Sequence, residues 1–280
     1  MATRKRKSTK GKDHDYTKIL KKIKSVTKSA GGLKAVLYGK AGSGKTTLAC
    51  TFPGPALILD VKEKGTDSVI DVPGLKVIQV EEWEEVQDVY WYLKKSEHPF
   101  KTVIWDTVSQ VQDLYIIELL EESNRDVDNP GGWGTMTKKM WGEVSNKLKA
   151  EIVNWRDLDM NVVFIAHDRV FVPGGDDEER DESEEILPSV GPRVMPSVAD
   201  VLNAAVGVIG NCFVRQLIKP RKKLKSGKVI KEKKKIQYCL RIGPNAIYAT
   251  KMRKPRSIML PDILVDPTYK SIVDLSEGKE

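Results

Sequence analysis

A glycine-rich loop between a short apolar run and a helical pattern constrains this chain of 280 residues more than any other feature. Residues 39–46 read Gly-Lys-Ala-Gly-Ser-Gly-Lys-Thr and match the motif GxxxxGK[ST] in full. Glycines let a backbone wrap around phosphate oxygens and point its N–H groups at them, and the start of the following helix adds positive charge. The sequence therefore predicts a phosphate-binding loop, or P-loop, rather than a simple glycine-rich turn.

The loop residues have expected roles toward ATP and Mg²⁺. Lys45 is expected to hold the β- and γ-phosphates as a point charge, and Thr46 to offer its hydroxyl to the metal ion. We expect the nucleotide to contact Gly39, Ala41, Gly42, Ser43, Gly44, Lys45, Thr46 and Thr47.

Two acidic positions are expected to complete the site for ATP hydrolysis. The apolar run 102–105 ends in Asp106, which lies 61 residues after Lys45. This is the Walker-B pattern, so Asp106 is expected to reach the metal together with Thr46. Glu63 follows the apolar run 56–60 and is the candidate base that orients the attacking water, with Asp60 as its rival. A plain surface role for Glu63 stays open.

His167 follows the apolar run Asn161–Ala166, at the strand end where ligands bind in open α/β sheets. Its side chain is a candidate sensor that hydrogen-bonds the γ-phosphate and reports the loss of that group to the next loop. The alternative is a loop histidine bonded to the backbone.

Short apolar strands alternate with helical patterns up to residue 166, which predicts an α/β fold with a mostly parallel sheet flanked by helices. A C-terminal antiparallel hairpin with a lysine-rich tip at 219–235 is expected to follow, after a proline-containing extended or loop segment at 186–197. The predicted strands are Lys34–Tyr38, 56–60, 76–80, 102–105, Asn161–Ala166, 205–209, 212–218, 236–242 and 246–250, and the predicted helices are 46–50, 82–95, Val108–Glu122 and 136–158.

The charge of the chain is uneven, and this points to a polyanionic partner. The formal net charge is +8, yet residues 1–30 carry +9, residues 219–256 carry +14, and the remainder carries −15. We divide the chain into a basic arm with a short helix at 1–30, an ATPase domain at 31–256 and a tail at 257–280. Three widely spaced cysteines and the lack of a run of about 20 apolar residues favour a cytoplasmic protein without a membrane span.

The order of these motifs resembles that of the RecA-type ATPases, since Thr107 follows Asp106 where AAA+ proteins usually carry glutamate. More narrowly, the chain is similar to phage-encoded, core-only RecA-like relatives with an AAA-type domain, of the single-strand annealing and recombination type. The similarity spans roughly residues 31–255 and rests on the stretches VLYGKAGSGKTTLA, ALILDVKEKGTDS, TVIWDTVS, VVFIAH and ATKMR.

The resemblance implies further roles. His167 stands where the family has its γ-phosphate sensor, and Lys251 and Arg253 stand where relatives reach the ATP site of a neighbouring subunit. The chain is then a homo-oligomeric ring or filament in the cytoplasm of a bacterial host, with a single-strand-binding protein as a further partner. Single-stranded DNA is expected at two loops and at the basic tip, through Arg125, Trp133, Lys138, Lys139, Arg169, Arg193, Lys222 and Lys223.

Two other functions stay open. One is a nucleotide-switched assembly or loader subunit with slow or no hydrolysis. The other is a small-metabolite P-loop kinase, which the sequence disfavours because residues 176–185 are acidic where such enzymes carry an arginine-rich lid. The same acidic run argues against DNA contact by the second loop, and a solvated surface is the alternative for every basic segment.

Overall fold

The computed structural model describes residues 22–23, 31–62, 65–123, 136–171, 188–217 and 235–279. Residues 31–280 form one compact unit. The expectations for the basic arm, its helix beyond residues 22–23, the acidic run 176–185 and the lysine-rich tip up to residue 234 lie outside the described residues.

A parallel sheet forms the centre of the unit, as the alternating apolar runs predict. Its strands are β1 Lys34–Tyr38, β2 Ala56–Val61, β3 Leu75–Val80, β4 Thr102–Asp106, β5 Asn161–Ala166 and β8 Val208–Leu217. Their order in the sheet is β8-β1-β5-β4-β2-β3, so one strand separates the P-loop strand β1 from the Walker-B strand β4. Every residue of β2, β4 and β5 is buried, which is why these strands lack an alternating polar pattern.

Helices cover both faces of this sheet. The bounds are α1 Lys45–Ala49, α2 Trp83–Lys95, α3 Val108–Glu122, α4 Lys138–Arg156, α5 Pro196–Ala205 and α6 Tyr269–Glu277, with a 3-10 turn at Thr66–Val69. Helices α2 to α5 pack on one face, while α1, the 3-10 turn and α6 pack on the other. The first face contains the edge-to-face rings of Trp105, Trp155 and Phe164.

Antiparallel strands extend the sheet beyond β8. Strand β9, Lys235–Arg241, pairs with β8, and β11, Ile263–Val265, pairs with β9. Strand β10, Lys251–Met252, also pairs with β8. A separate two-stranded sheet holds β6, Asp168–Phe171, and β7, Ser189–Pro192. The α/β fold and the antiparallel pair that the sequence predicts are therefore confirmed.

The structure differs from the predicted elements mainly after residue 190. Residues from Pro196 to Ala205 form helix α5, where a loop and the start of a strand are expected. Proline is compatible with the first turn of a helix, where no intrahelical N–H bond is needed, and Val198, Leu202 and Ala205 then face the core. The two strands expected at 205–209 and 212–218 are the single strand β8.

The end of the chain also differs. Only a single bridge from Tyr248 to Val190 stands where a strand is expected at 246–250. The segment expected to be a tail contains β11 and α6. Ile272 of α6 is buried on the face of the sheet that also packs against α1. In the part of the chain that the structure describes, no helix has the length and apolar character that crossing a bilayer requires.

Candidate functional site

The P-loop connects β1 to α1 and depends on two glycines with tight surroundings. At Gly39 an added Cβ would lie 2.2 Å from the Cys212 carbonyl oxygen of β8. At Gly44, where φ is +84°, it would lie 2.9 Å from the ring of Tyr238. Any side chain at either position would displace the neighbouring strand or ring, which explains why the loop needs glycine here.

Lys45 begins helix α1 and is 93% buried, since its exposed fraction is 7%. Its ammonium group donates hydrogen bonds to the carbonyls of Gly39, at 3.0 Å, and Lys40, at 2.9 Å, which hold it over the loop. The Ser43 hydroxyl is buried in the same loop without a hydrogen-bond partner among the described residues. A buried hydroxyl and a buried cation in one loop fit a bound phosphate chain.

Thr46 and Asp106 meet although they are 60 residues apart in sequence. The Thr46 hydroxyl donates a hydrogen bond of 2.8 Å to the Asp106 carboxylate, across the end of the intervening strand β5. Burial, assisted by the Asp106 charge, raises the pKa of Cys50 to about 12, so that thiol stays protonated beside the carboxylate. The hydroxyl and carboxylate oxygens are the hard ligands that Mg²⁺ prefers, so this pair fits the metal expected there.

Thr107 follows Asp106 and starts helix α3. Its hydroxyl accepts a hydrogen bond from the Gln110 N–H, which is the role of an N-cap residue. Thr107 therefore begins the helix that follows the Walker-B strand.

The structure describes only one of the two candidates for the water-orienting base. Glu63 lies outside the described residues. Asp60 is buried in β2, where its carboxylate accepts a hydrogen bond from Gln79, and it is absent from the lining of the cavity at the P-loop. Gly65 and Ser68, just beyond Glu63 in sequence, do line that cavity. Asp60 therefore does not line the cavity, and the role of Glu63 stays a prediction.

His167 lines the same cavity, at the end of β5. The backbone N–H of His167 donates to the Ser109 hydroxyl of α3 at 3.2 Å, and its backbone carbonyl accepts from the backbone N–H of Arg193 at 2.8 Å. The Arg193 guanidinium in turn lies 3.0 Å from the Asp113 carboxylate of α3. Arg193, expected to contact DNA, therefore forms an ion pair with the helix that follows the Walker-B strand.

The ion pair between Arg193 and Asp113 gives a pH-dependent prediction. Burial raises the pKa of Asp113, and the nearby guanidinium opposes that rise. Arg193→Met should cost about 1 kcal/mol of unfolding free energy at neutral pH, a modest figure because Arg193 is partly exposed. A carboxylate with a raised folded-state pKa costs stability at pH values above its unfolded-state pKa, and in full only above its folded-state pKa, so the cost should shrink as the pH falls toward about 5. Urea unfolding at the two pH values measures this difference.

In an Asp113→Asn background, which removes the titrating group, the cost of Arg193→Met should be the same at both pH values. An equal pH dependence in both backgrounds would contradict the assignment to Asp113.

The P-loop opens into a cavity of about 550 Å³. Beyond the loop, Asp106 and His167, its wall includes Tyr238 of β9 and the turn Asp266, Pro267 and Thr268 before α6. These four residues are absent from the sequence-based predictions. No motif marks them, because Tyr238 reaches the site through the pairing of β9 with β8, and the turn through the pairing of β11 with β9.

Lys251 and Arg253 lie elsewhere in the same chain, at the end of helix α5. The Lys251 ammonium donates to the Asn203 carbonyl at 2.7 Å, and the Arg253 guanidinium donates to the Ala204 carbonyl at 2.9 Å. Burial and the adjacent Arg253 lower the pKa of Lys251. Both cations thus satisfy the last carbonyls of the helix, a favourable position for positive charge, and neither lines the cavity of its own chain.

Three of the remaining candidate DNA contacts are exposed. Lys138 and Lys139 occupy the first turn of α4, which contains no acidic residue. Arg169 of β6 is exposed and lies 5.1 Å from the ring of Phe171. The other candidates, Arg125, Trp133, Lys222 and Lys223, lie outside the described residues. Met136, which precedes Lys138 and Lys139, is buried in the core.

Comparison with solved structures finds similar folds at low identity. A KaiC-like protein, PH0186, from the hyperthermophilic archaeon Pyrococcus horikoshii OT3 is 13% identical, with a TM-score of 0.39, covering 84% of this chain and 89% of its own. The RadB recombinase is 14% identical, with a TM-score of 0.37, covering 75% and 80%. The flagellar accessory protein FlaH from Methanocaldococcus jannaschii is 8% identical, with a TM-score of 0.35, covering 84% and 90%.

No curated protein sequence matches the chain. A family model described as an AAA domain matches residues 31–237, which is well over half of the chain and contains the P-loop, the Walker-B strand and His167. The chain therefore belongs to the AAA domain family.

Proposed function

We propose that this protein hydrolyses ATP with Mg²⁺ and couples that reaction to single-stranded DNA in homologous recombination or strand annealing of the phage type. The observation that carries the catalytic part is the 2.8 Å hydrogen bond between Thr46 and Asp106 beside the buried Lys45. The start of helix α1 and the end of strand β4 meet there and leave a hydroxyl, a carboxylate and a cation at one cavity.

Each residue has a defined part in the proposed reaction. Lys45 and the loop N–H groups bind the phosphate chain, and Thr46 and Asp106 hold the metal. When bound, Mg²⁺ supplies positive charge that neutralises the phosphate oxygens as charge develops on them. Glu63 orients the attacking water, and His167 contacts the terminal phosphate. Since catalysis of phosphoryl transfer is mostly positioning and charge stabilisation, no covalent intermediate with the protein is needed.

A coupling route to DNA is supported by the contacts of His167. Its carbonyl bond to Arg193, and the pair of Arg193 with Asp113, connect the terminal-phosphate end of the cavity to α3 and to strand β7. Strand β7 pairs with β6, which bears the exposed Arg169. Hydrolysis is proposed to change these contacts and thereby to move the cationic side chains that contact DNA.

Oligomerisation is part of the same proposal. Lys251 and Arg253 lie outside the lining of the cavity in their own chain. Head-to-tail contacts between copies would form a ring or a filament, in which these cations serve the ATP site of the neighbour. A single-strand-binding protein is the proposed further partner, and the bacterial cytoplasm the proposed compartment.

The function is tested by measuring ATP hydrolysis with and without single-stranded oligonucleotide, and by gel shifts with ATP, ADP or neither across a salt series. We expect hydrolysis to rise with DNA and the shift to weaken steeply with salt, because phosphate contacts release counterions. Binding that switches with the nucleotide at negligible turnover would support the loader subunit instead. No shift in any nucleotide state would exclude the DNA role.

The lysines that begin α4 give a residue-level prediction. Lys138→Ser/Lys139→Ser should weaken single-stranded DNA binding and reduce the slope of log affinity against log salt by about 1.4, since each phosphate contact contributes about 0.7. Two positive charges at the positive end of a helix also oppose its dipole, so their loss should leave the fold at least as stable.

The matched control is Lys76→Ser/Lys101→Ser, which removes two exposed lysines near the starts of β3 and β4 instead of at the start of α4. An equal decrease in slope for both double variants would mean that DNA responds to net charge and not to this helix.

A further inference from the structure

One wall of the nucleotide cavity has no role in the reaction described above. It consists of Tyr238 on β9 and the turn Asp266, Pro267 and Thr268, and it begins directly after residue 237, where the family match ends. The P-loop, which is expected to bind phosphate, lines the same cavity. The cavity volume of about 550 Å³ offers room for more than a triphosphate chain.

Tyr238 is placed against the P-loop and yet partly open. Its ring approaches Gly44 so closely that an added Cβ there would lie 2.9 Å from its Cδ1 atom. Tyr238 nevertheless remains 48% exposed. A ring that lies close to Gly44 and is open elsewhere presents a flat surface next to the site where phosphate would bind.

The turn beside Tyr238 is fixed at both of its ends. The Asp266 N–H donates to the Tyr238 carbonyl at 2.8 Å, and Asp266 has a φ of +46° that turns the chain sharply. The Tyr269 N–H then donates to the Thr51 hydroxyl at 2.7 Å, just after α1. The ring of Tyr269 also lies 4.8 Å from that of Phe52. These contacts set the distance between the turn and the helix that follows the P-loop.

We propose that Tyr238 is the platform on which the base of the nucleotide stacks, with the turn 266–268 beside it. This inference rests on the proposed ATP site and adds that the protein recognises the base as well as the phosphates. A purine covers more of the phenol ring than a pyrimidine does, and the Asp266 carboxylate accepts a hydrogen bond from an amino group on the base. The site therefore takes purine nucleoside triphosphates in preference to pyrimidine ones.

Calorimetric titration with two probes separates the base from the phosphates. The probes are Mg²⁺-ATP, which has both parts, and inorganic tripolyphosphate with Mg²⁺, which has only the phosphate chain. Tyr238→Ala should raise the dissociation constant of ATP on the order of tenfold, as expected for loss of one stacked base, and leave that of tripolyphosphate unchanged. Tyr238→Phe keeps the ring and should bind both probes like the parent.

Tyr92→Ala is the matched control, because Tyr92 is a tyrosine of similar exposure, 42%, on the distant helix α2. Unchanged ATP affinity in Tyr238→Ala, or an equal loss for both probes, would overturn the base platform. If Tyr238→Ala binds like the parent while Lys45→Ala loses both probes, the proposed ATP site stands and only this inference fails. If the parent binds neither probe, the proposed function fails as well.

Discussion

Lys45→Ala is expected to lower the rate of ATP hydrolysis on the order of 10²–10³-fold, which is the effect of removing one positioned group that stabilises developing charge. The Lys45 ammonium is buried and lies over the loop through bonds to two carbonyls, so its position is set before any phosphate arrives. A steady-state assay of phosphate release at saturating ATP measures the change.

Lys40→Ala provides the matched control within the same loop. Lys40 is exposed, and the contact it makes with Lys45 uses its backbone carbonyl, which alanine retains. Its hydrolysis rate should stay within a few-fold of the parent. A Lys45→Ala protein that hydrolyses ATP as fast as the parent would remove the basis of the proposed catalysis.

The second large effect concerns the stability of the Walker-B strand. Trp105→Ala should cost about 3–5 kcal/mol of unfolding free energy, because it leaves a cavity in the most densely aromatic part of the core. Trp105 is fully buried and makes edge-to-face contacts with Trp155, at 5.0 Å between ring centroids, and with Phe164, at 5.4 Å. Urea unfolding followed by circular dichroism measures the difference.

Trp91→Ala tests whether burial, rather than residue type, causes this cost. Trp91 is 46% exposed on α2, where the Lys95 ammonium lies 4.1 Å from its ring. Its replacement should change the unfolding free energy by about 0.5 kcal/mol or less. Comparable losses for the two tryptophans would show that the core around β4 tolerates a large cavity.

The local patterns of the sequence predict the first two thirds of the fold well. Strands β1 and β5 and helix α3 have the predicted bounds, because each combines an uninterrupted apolar pattern with a clear boundary signal such as the N-cap Thr107. The region after residue 190 is harder to predict. Pro196 indicates a break in sequence but occupies the first turn of α5, and the sheet position of β11 depends on long-range pairing with β9.

The candidate site likewise contains some residues that the sequence predicts and others that it does not. The P-loop and Asp106 are recognisable because their residue types and spacing follow directly from phosphate and metal chemistry. Tyr238 and Asp266 have no such signature, since any exposed tyrosine and any loop aspartate look the same in sequence. The resemblance places Arg193 in a DNA-binding loop, and only the fold reveals that its guanidinium pairs with Asp113.

The hydrogen bond from Tyr269 to Thr51 joins residues 218 positions apart, and it lies at the rim of the cavity. A site assembled from such distant parts of the chain forms only when the long-range contacts of the whole unit have formed. A ligand that needs both walls then binds the native state and not the unfolded chain. Its binding free energy adds to the stability of the entire unit and rises with ligand concentration.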